Sequence, residues 1–473
     1  MPNLGAKRSQ FTHFLFRYIP NLRTGGINMP KWAKITLGAG ALSLLVPYAA
    51  FAADEAMVAA PDLATQNIFN TLAFLIGGFL VMWMAAGFAM LEAGFVRTKN
   101  VSMQCLKNIM LYSVAGIMFY FIGYNMIYGG TSPYFGGFHS PYGALLDPTV
   151  ATISGLADEG FNYSEYSDWF FQMVFCATTA SIVSGTVAER IKFWPFVIFT
   201  CVLTAIIYPV VASWEWGGGF LDAMGFSDFA GSTLVHSTGG WAALIGAIIL
   251  GARKGKYGPD GRVNPMPGSS MPLATLGVFI LWLGWFGFNG ASQLAMGTIS
   301  DADSIAKIFV NTNMAAATGV VIAVIYMQIR YGKIDVTMAL NGALAGLVAI
   351  TAEPLTPSVP VAMLVGGLGS LLAMLTVPLL DKLKIDDVVG AIPVHLVAGI
   401  FGTLAVAFTN PEVSFMPQLI GVAATAVFVS AISAIIWFAM KATIGIRVSE
   451  QVELDGLDTH EIGVAAYPEF VQA

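Results

Sequence analysis

The sequence predicts an all-α polytopic membrane protein. Its eleven transmembrane helices form an inverted five-helix repeat plus a final helix, with the N-terminus outside and the C-terminus inside. Three observations carry this reading. Only 11% of the 473 residues are charged and 56% are hydrophobic, whereas soluble domains carry roughly a quarter charged residues. So little charge cannot cover a globule with polar surface, and the main solvent is therefore lipid. Apolar segments of roughly 18 to 28 residues recur along the chain, each long enough at ~1.5 Å per residue to cross a ~30 Å hydrocarbon core. Finally, Lys and Arg gather in alternate loops, as expected when basic residues stay on the cytoplasmic side. The same composition excludes nucleic-acid binding, disorder and a disulfide scaffold. Cys105, Cys176 and Cys201 lie in apolar runs without metal or redox spacing.

Residues 1–52 read as a leader and signal peptide. Lys31 and Lys34 precede the apolar run Ile35 to Val46, and Ala50-Phe51-Ala52 offers a cleavage site before Asp54 and Glu55. Met29 is an alternative start, and an uncleaved anchor is the alternative to cleavage. Residues 53–66 then form a periplasmic segment, 67–442 the membrane domain and 443–473 a cytoplasmic tail. A signal peptide on such a chain suits the inner membrane of a Gram-negative bacterium.

The first span, 67–95, is followed by Arg97, Lys99 and Lys107. The second, 104–129, ends at Gly129-Gly130 and opens a long loop with Asp147, Asp158, Glu159 and Glu165. The third, 168–188, precedes Arg190 and Lys192, and the fourth, 193–214, runs into Trp216-Gly-Gly-Gly219. The fifth, 233–251, gives way to Arg253, Lys254, Lys256 and Arg262. The sixth, 272–290, ends at Asn289-Gly290, and the seventh, 304–328, at Arg330 and Lys333. The eighth, 336–352, stops at Pro354, the ninth, 358–380, at Lys382 and Lys384, and the tenth, 389–408, at Asn410-Pro411. The eleventh, 416–442, is bounded by Lys441 and Arg447. Only Lys307 breaks the alternation, which places the N-terminus out and the C-terminus in.

Spans five and ten begin alike. Asp228-Phe-Ala-Gly231-Ser-Thr-Leu-Val235-His236-Ser-Thr-Gly-Gly240 and Asp387-Val-Val-Gly390-Ala-Ile-Pro-Val394-His395-Leu-Val-Ala-Gly399 share D-x-x-G-x-x-x-V-H-x-x-x-G. Two spans five apart that share this pattern imply a duplicated five-helix unit. Because five is odd, the copies lie in the membrane with opposite orientation. Each histidine sits eight residues past its aspartate, ~12 Å of helix rise, hence near the bilayer middle. Opposed repeats bring the two rings together. An intramembrane ionisable residue suggests function by default; the alternative is a core pair satisfied by each other or by backbone. Such a pair on a narrow apolar route suits a proton or a small neutral solute, and it lacks the carboxylates expected around a metal.

From Asp228 through Gly240 to Arg253 the sequence resembles the Amt/Mep/Rh family of ammonium transporters, in particular the Amt branch. Gly87-Phe-Ala-Met-Leu-Glu-Ala-Gly94, Val96-Arg97-Thr-Lys99-Asn100, Ala188-Glu189-Arg190, Trp216-Gly-Gly-Gly219, Gly284-Trp-Phe-Gly-Phe-Asn289 and Gly346-Leu-Val-Ala-Ile-Thr351 agree in order. The resemblance covers about residues 65 to 470. It implies an external ammonium-recruiting site at Phe175, Trp216 and Ser292, where aromatic faces attract the cation and a hydroxyl accepts a hydrogen bond. It makes Phe175 and Phe288 the stacked rings that close the pore, His236 and His395 the pore histidines, and Thr351 a residue of the outer vestibule. It also implies a homotrimer, blockade by a PII-type signalling protein at the cytoplasmic face, an ordered tail against that face, and no cofactor.

Each assignment has a plainer alternative. Trp216 suits an interfacial aromatic belt. Asp228 suits an N-cap that accepts backbone N–H groups, with Asp387 its counterpart, although a direct electrostatic role toward NH4+ is also open. Glu92 reads as a structural contact beside Arg97 rather than a pore group. The chain departs from the family at Ala291, where Gly is usual beside Ser292, and at Pro393, which removes a backbone donor just before His395. An ammonium sensor acting through a partner is the alternative function. The histidines have no intramembrane Ser or acid at a catalytic spacing, so the reading is of a transporter, not an enzyme.

Overall fold

A computed structural model of the chain describes residues 61–130, 132–137 and 162–470. The leader, the signal segment and most of the loop acids after the second span lie outside the described residues. Helix α1 spans Leu63–Phe95, α2 Thr98–Tyr128, α3 Glu165–Thr186, α4 Phe193–Ser213, α5 Ser232–Leu250 and α6 Met271–Gln293. They are followed by α7 Ile299–Tyr331, α8 Val336–Ile350, α9 Val359–Lys382, α10 Ile392–Thr409, α11 Phe415–Thr443 and, in the tail, α12 Glu450–Asp455. Strands are absent among the described residues; two isolated bridges, Ile191 with Arg447 and Tyr257 with Val263, are the nearest approach to one.

Among the described residues nine helices are long and apolar enough to cross a membrane, and α8 is a shorter apolar helix. The protein is therefore an integral multi-pass membrane protein. The remaining helix, α3, is the hub: residues 171–191 are buried without a break. Because it meets protein on every side, it can carry Thr178, Thr179 and Ser181, whose hydroxyls donate to the carbonyls of Val174, Phe175 and Ala177. Apolar side chains instead face outward from α1, where Ile68, Leu72, Ile76, Phe79 and Trp83 form an exposed stripe at helical spacing.

Starts and stops follow local chemistry. Asp62 accepts from Thr65 N at 3.0 Å and caps α1, Thr298 and Asp301 form a capping box on α7, and Gly332 ends that helix at φ 70°. Two interruptions have no sequence signal. A π turn at Phe119–Gly123 in α2 lies near another at Leu203–Ile207 in α4; Gly123 is needed there because a Cβ would sit 2.9 Å from Thr204 O.

Several of the charged loops gather at one end. The turns after α1, α3, α5 and α9 meet at one end: Glu189 pairs with Arg97 at 2.5 Å and Arg253 at 3.3 Å, and Arg253 pairs with Asp386 at 2.8 Å. Glu189 holds a left-handed φ of 69° to reach both arginines. Arg190 donates to the carbonyls of Gly251 and Asp386. Burial opposes ionisation of Asp386, yet the hydrogen bonds of Arg253 and the charges of Arg190 and Arg253 hold its carboxyl well below the usual range. Burial also lowers Arg190 to about 10.

The tail docks on this same end. Val448 N donates to Arg190 O, Arg447 to the carbonyls of Leu250 and Ala252, and Asp458 accepts from Ser102 N and Met103 N. At the opposite end Met296 N donates to Asn70 Oδ1, Trp214 Nε1 to Tyr134 O and Asn410 to Glu353.

Candidate functional site: a paired-histidine route between α5 and α10

The shared thirteen-residue pattern is explained position by position. Asp228 accepts from Gly231 N and Ser232 N on Oδ1 and from Thr233 N and Leu234 N on Oδ2, at 2.7 to 3.2 Å. It thereby satisfies the orphan donors at the start of α5. Gly231 turns the chain into the helix at φ 102°, and Gly390 does so for α10 at φ 79°, a region that disfavours a side chain. Asp387 accepts from Gly390 N at 3.2 Å and Ile392 N at 2.7 Å. Pro393 occupies the position equivalent to Leu234 and supplies no donor; the hydroxyl of Thr186 donates to Asp387 instead, at 3.1 Å. Both histidines then sit in six-residue π turns, Ser232–Ser237 and Ile392–Val397.

The final glycines let the helices cross. A Cβ on Gly240 would lie 2.8 Å from Leu396 N, and one on Gly399 would overlap Ser232 O and lie 2.6 Å from Ser237 Oγ. Each glycine thus seats one helix beside the other helix's histidine. His236 and His395 meet with Nδ1···Nδ1 at 3.1 Å and ring centroids 5.2 Å apart. One Nδ1 donates and the other accepts, so the rings hold complementary tautomers. Facing rings complete the sheath: Trp285 stacks on His236 at 5.0 Å, Phe288 lies 5.2 Å from His236, and Phe88 lies 6.1 Å from His395.

Beyond His236, Phe288 stacks on Phe175 with centroids 4.0 Å apart and 22° between planes. Phe175 meets Trp216 edge-on at 6.1 Å. Ser292 stands one turn along α6 from Phe288 and donates to its carbonyl at 2.8 Å, which leaves the hydroxyl lone pairs to accept. Trp216 Nε1 donates to Asp228 O at 3.3 Å, and Asp228 N donates to Glu215 at 2.8 Å. Burial pushes Asp228 up to about 6, opposed by its four backbone donors. It also raises Glu215 well above the usual carboxylate range, with Asp228's charge adding to the effect.

Two residues have partners that the sequence does not indicate. Thr351, expected at the outer vestibule, is fully buried; it accepts from Trp285 Nε1 at 2.8 Å and donates to Leu347 O. It therefore positions the ring that stacks on His236. Thr351→Val is expected to orphan that indole N–H and cost about 1–3 kcal/mol, read as a lower thermal midpoint in detergent. Glu92, expected beside Arg97, instead accepts from Gln104, Asn108 and Ser184, while Arg97 takes Glu189. Arg97 lies beyond the end of α1 and points into the loop cluster. Trp285 carries no signal of its role in the sequence; only the approach of α6 to α5 gives it one.

A sequence model described as the Ammonium Transporter Family matches residues 72–467, most of the chain. The protein belongs to that family. Among curated relatives, Ammonium transporter Amt2 of Archaeoglobus fulgidus is 39% identical over 84% of this chain and 88% of its own. Ammonium transporter Amt1 of Haloferax mediterranei is 37% identical over 87% and 81%. Among solved structures, a Sensor Amt Protein superposes with a TM-score of 0.77 at 34% identity, covering 84% of this chain and 99% of that one. Candida albicans Mep2 superposes at 0.71 with 26% identity, covering 83% and 89%. In the Ammonium Transporter Family, this chain is thus matched along almost the whole length that carries its two histidine-bearing helices.

Proposed function

We propose that this protein is an ammonium transporter that recruits NH4+ at Phe175, Trp216 and Ser292, strips its proton and conducts NH3 past His236 and His395. The carrying observation is the contact between the two histidines, placed between the Phe175–Phe288 stack and a cavity at the far side of His395. A bare cation in hydrocarbon costs tens of kcal/mol in the Born limit, so the charge must be removed or matched. Trp216 and Phe175 offer cation–π attraction of ~0.5–2 kcal/mol, enough to gather a small cation without trapping it. Closed aromatic rings then exclude the hydrated ion, and the paired imidazoles offer one donor and one acceptor to a small neutral solute. Net passage of a proton through the pair would make transport electrogenic.

In this reading all eleven helices cross the inner membrane of a Gram-negative bacterium, the Arg97–Glu189–Arg253 end faces the cytoplasm, and three copies assemble, each with its own pore. The same end is where a PII-type protein would block the exit. Electrical recording on a solid-supported membrane tests the proposal. An ammonium pulse is expected to give a current in wild-type proteoliposomes, or internal alkalinisation if transport is neutral. His236→Ala and His395→Ala are each expected to lower the flux at least about tenfold, ~1.4 kcal/mol of barrier. Wild-type flux in both variants would remove the histidine step. Silence of the wild-type protein in both assays, with ammonium still bound, would favour a sensor.

A further inference from the structure

On the side of His395 away from the phenylalanine stack lies a small cavity, with space for about one water-sized species, lined by Phe88, Leu91, Glu92, Leu344 and His395. Phe88 touches His395, and Glu92 follows it by four residues on α1, one helical turn or ~6 Å along the route. Glu92 is 1% exposed. Its three donors, Gln104 Nε2 at 2.5 Å, Asn108 Nδ2 at 2.9 Å and Ser184 Oγ at 2.8 Å, all hold Oε2. Oε1 has no hydrogen-bond partner among the described residues.

The nearest counter-charge does not fill that vacancy. Lys107 Nζ donates to Gln104 Oε1 at 3.1 Å and Ser184 O at 2.9 Å and lies 4.5 Å over the Phe196 ring. The Gln104 amide thus bridges acid and ammonium. Lys107 offsets the buried carboxylate without occupying its second oxygen, and a buried acceptor with an open lone pair is costly unless something visits it.

We propose that Glu92 Oε1 is an inner binding site for an ammonium-class cation, the protein group at which NH3 that has passed the histidines regains its proton and is held as NH4+ before it leaves. The proposal rests on the transport reading above and extends it to the exit. A cation of water size that donates hydrogen bonds in every direction fits a cavity offering one charged acceptor. Lys107 keeps the site weak, and a conduction path needs a site an ion can leave. With NH3 arriving from the pore and a proton from the inner aqueous side, the products are one NH4+ at the carboxylate and no other species.

Full-length protein in proteoliposomes, pulsed with ammonium chloride, tests this through Glu92→Gln and Glu92→Asp. Glu92→Gln keeps the volume and an acceptor for the three donors but replaces the open acceptor with an N–H2 group. Its maximal flux, read as current or internal pH, is expected to fall about tenfold, with the half-saturating external ammonium concentration unchanged. Glu92→Asp is expected to recover part of the flux because the carboxylate remains. In crystals soaked with thallium(I), a monovalent cation of ammonium-like size, an anomalous peak is expected beside Glu92 and absent in Glu92→Gln. Wild-type flux in Glu92→Gln would overturn the proposal, as would equal losses in both variants with a lowered thermal midpoint. A wild-type protein that moves no ammonium would overturn the transport reading instead.

Discussion

Asp228→Ala is expected to abolish ammonium flux and to destabilise the protein by more than about 3 kcal/mol, taking ~1–3 kcal/mol for each buried donor left without a partner. The side chain holds the N–H groups of Gly231, Ser232, Thr233 and Leu234 and is itself fully buried. An ordinary cap satisfies one or two such donors and is worth ~0.5–2 kcal/mol. Here Asp228, Ser232, Thr233 and Leu234 are all buried, so solvent cannot readily take over. The loss would propagate along a short path, because the π turn capped by Asp228 carries His236, and Trp216 Nε1 donates to the carbonyl of Asp228 itself. Asp228→Asn is expected to fall between wild type and Ala, since it keeps one acceptor oxygen but turns an N–H2 group toward two backbone donors. Thermal unfolding followed by tryptophan fluorescence, together with ammonium-evoked current, checks both variants. A wild-type midpoint in Asp228→Ala would show that the four hydrogen bonds are replaceable.

Gly399→Val is expected to be as severe, through packing rather than hydrogen bonding. A Cβ there meets Ser232 O, a backbone atom inside α5, and Ser237 Oγ at 2.6 Å. The backbone oxygen of Ser232 cannot swing away as the end of a flexible side chain would, so α10 must back off from α5. Overpacking of this kind costs ~1–3 kcal/mol, and the shift of an ångström or so would part the 3.1 Å contact of His236 with His395. Flux is therefore expected to collapse even in a variant that still folds. Gly116→Ala in α2 is the matched control: its Cβ would sit 3.8 Å from Met173 Sδ, an ordinary contact. That substitution is expected to be neutral or to add up to ~1 kcal/mol through better helix propensity. If both variants transported alike, the close crossing would not be what sets the histidine geometry.

The two predictions concern the ends of one pattern, and the pattern was visible before any coordinates. Asp228 with Asp387, Gly231 with Gly390, His236 with His395 and Gly240 with Gly399 stand at equal spacing in spans five apart. That spacing implied a duplication and a meeting of the two rings. The helix positions were legible for a related reason. Lipid demands long apolar runs with satisfied backbone, and that requirement is written into a one-dimensional sequence. The expected segment 168–188 corresponds to α3, Glu165–Thr186, and the expected 389–408 to α10, Ile392–Thr409. The start of α10 lies later because Asp387 and Gly390 are spent on the cap.

Other features depended on which elements touch. Thr351 was read as a vestibule residue, and it became the anchor of Trp285 because α8 lies buried against α6. Glu92 reads from the sequence as a structural contact near Arg97, and its partners lie on α2 and α3. Glu189 in turn collected Arg97 and Arg253 from two other loops. The π turns in α2 and α4 had no local signal, since they arise where Gly123 lets one helix settle on Thr204 of the other.

By itself, then, the sequence determined the membrane environment and the helices and placed a histidine at equal spacing in two spans, because hydrophobic length and repeat spacing are local or periodic quantities. Only the tertiary structure decided which polar groups partner which. Hydrogen bonds and ion pairs form between segments 92 to 354 residues apart, as between Arg97 and Glu189 or Lys99 and Glu453, and distance along the chain carries no information about such contacts.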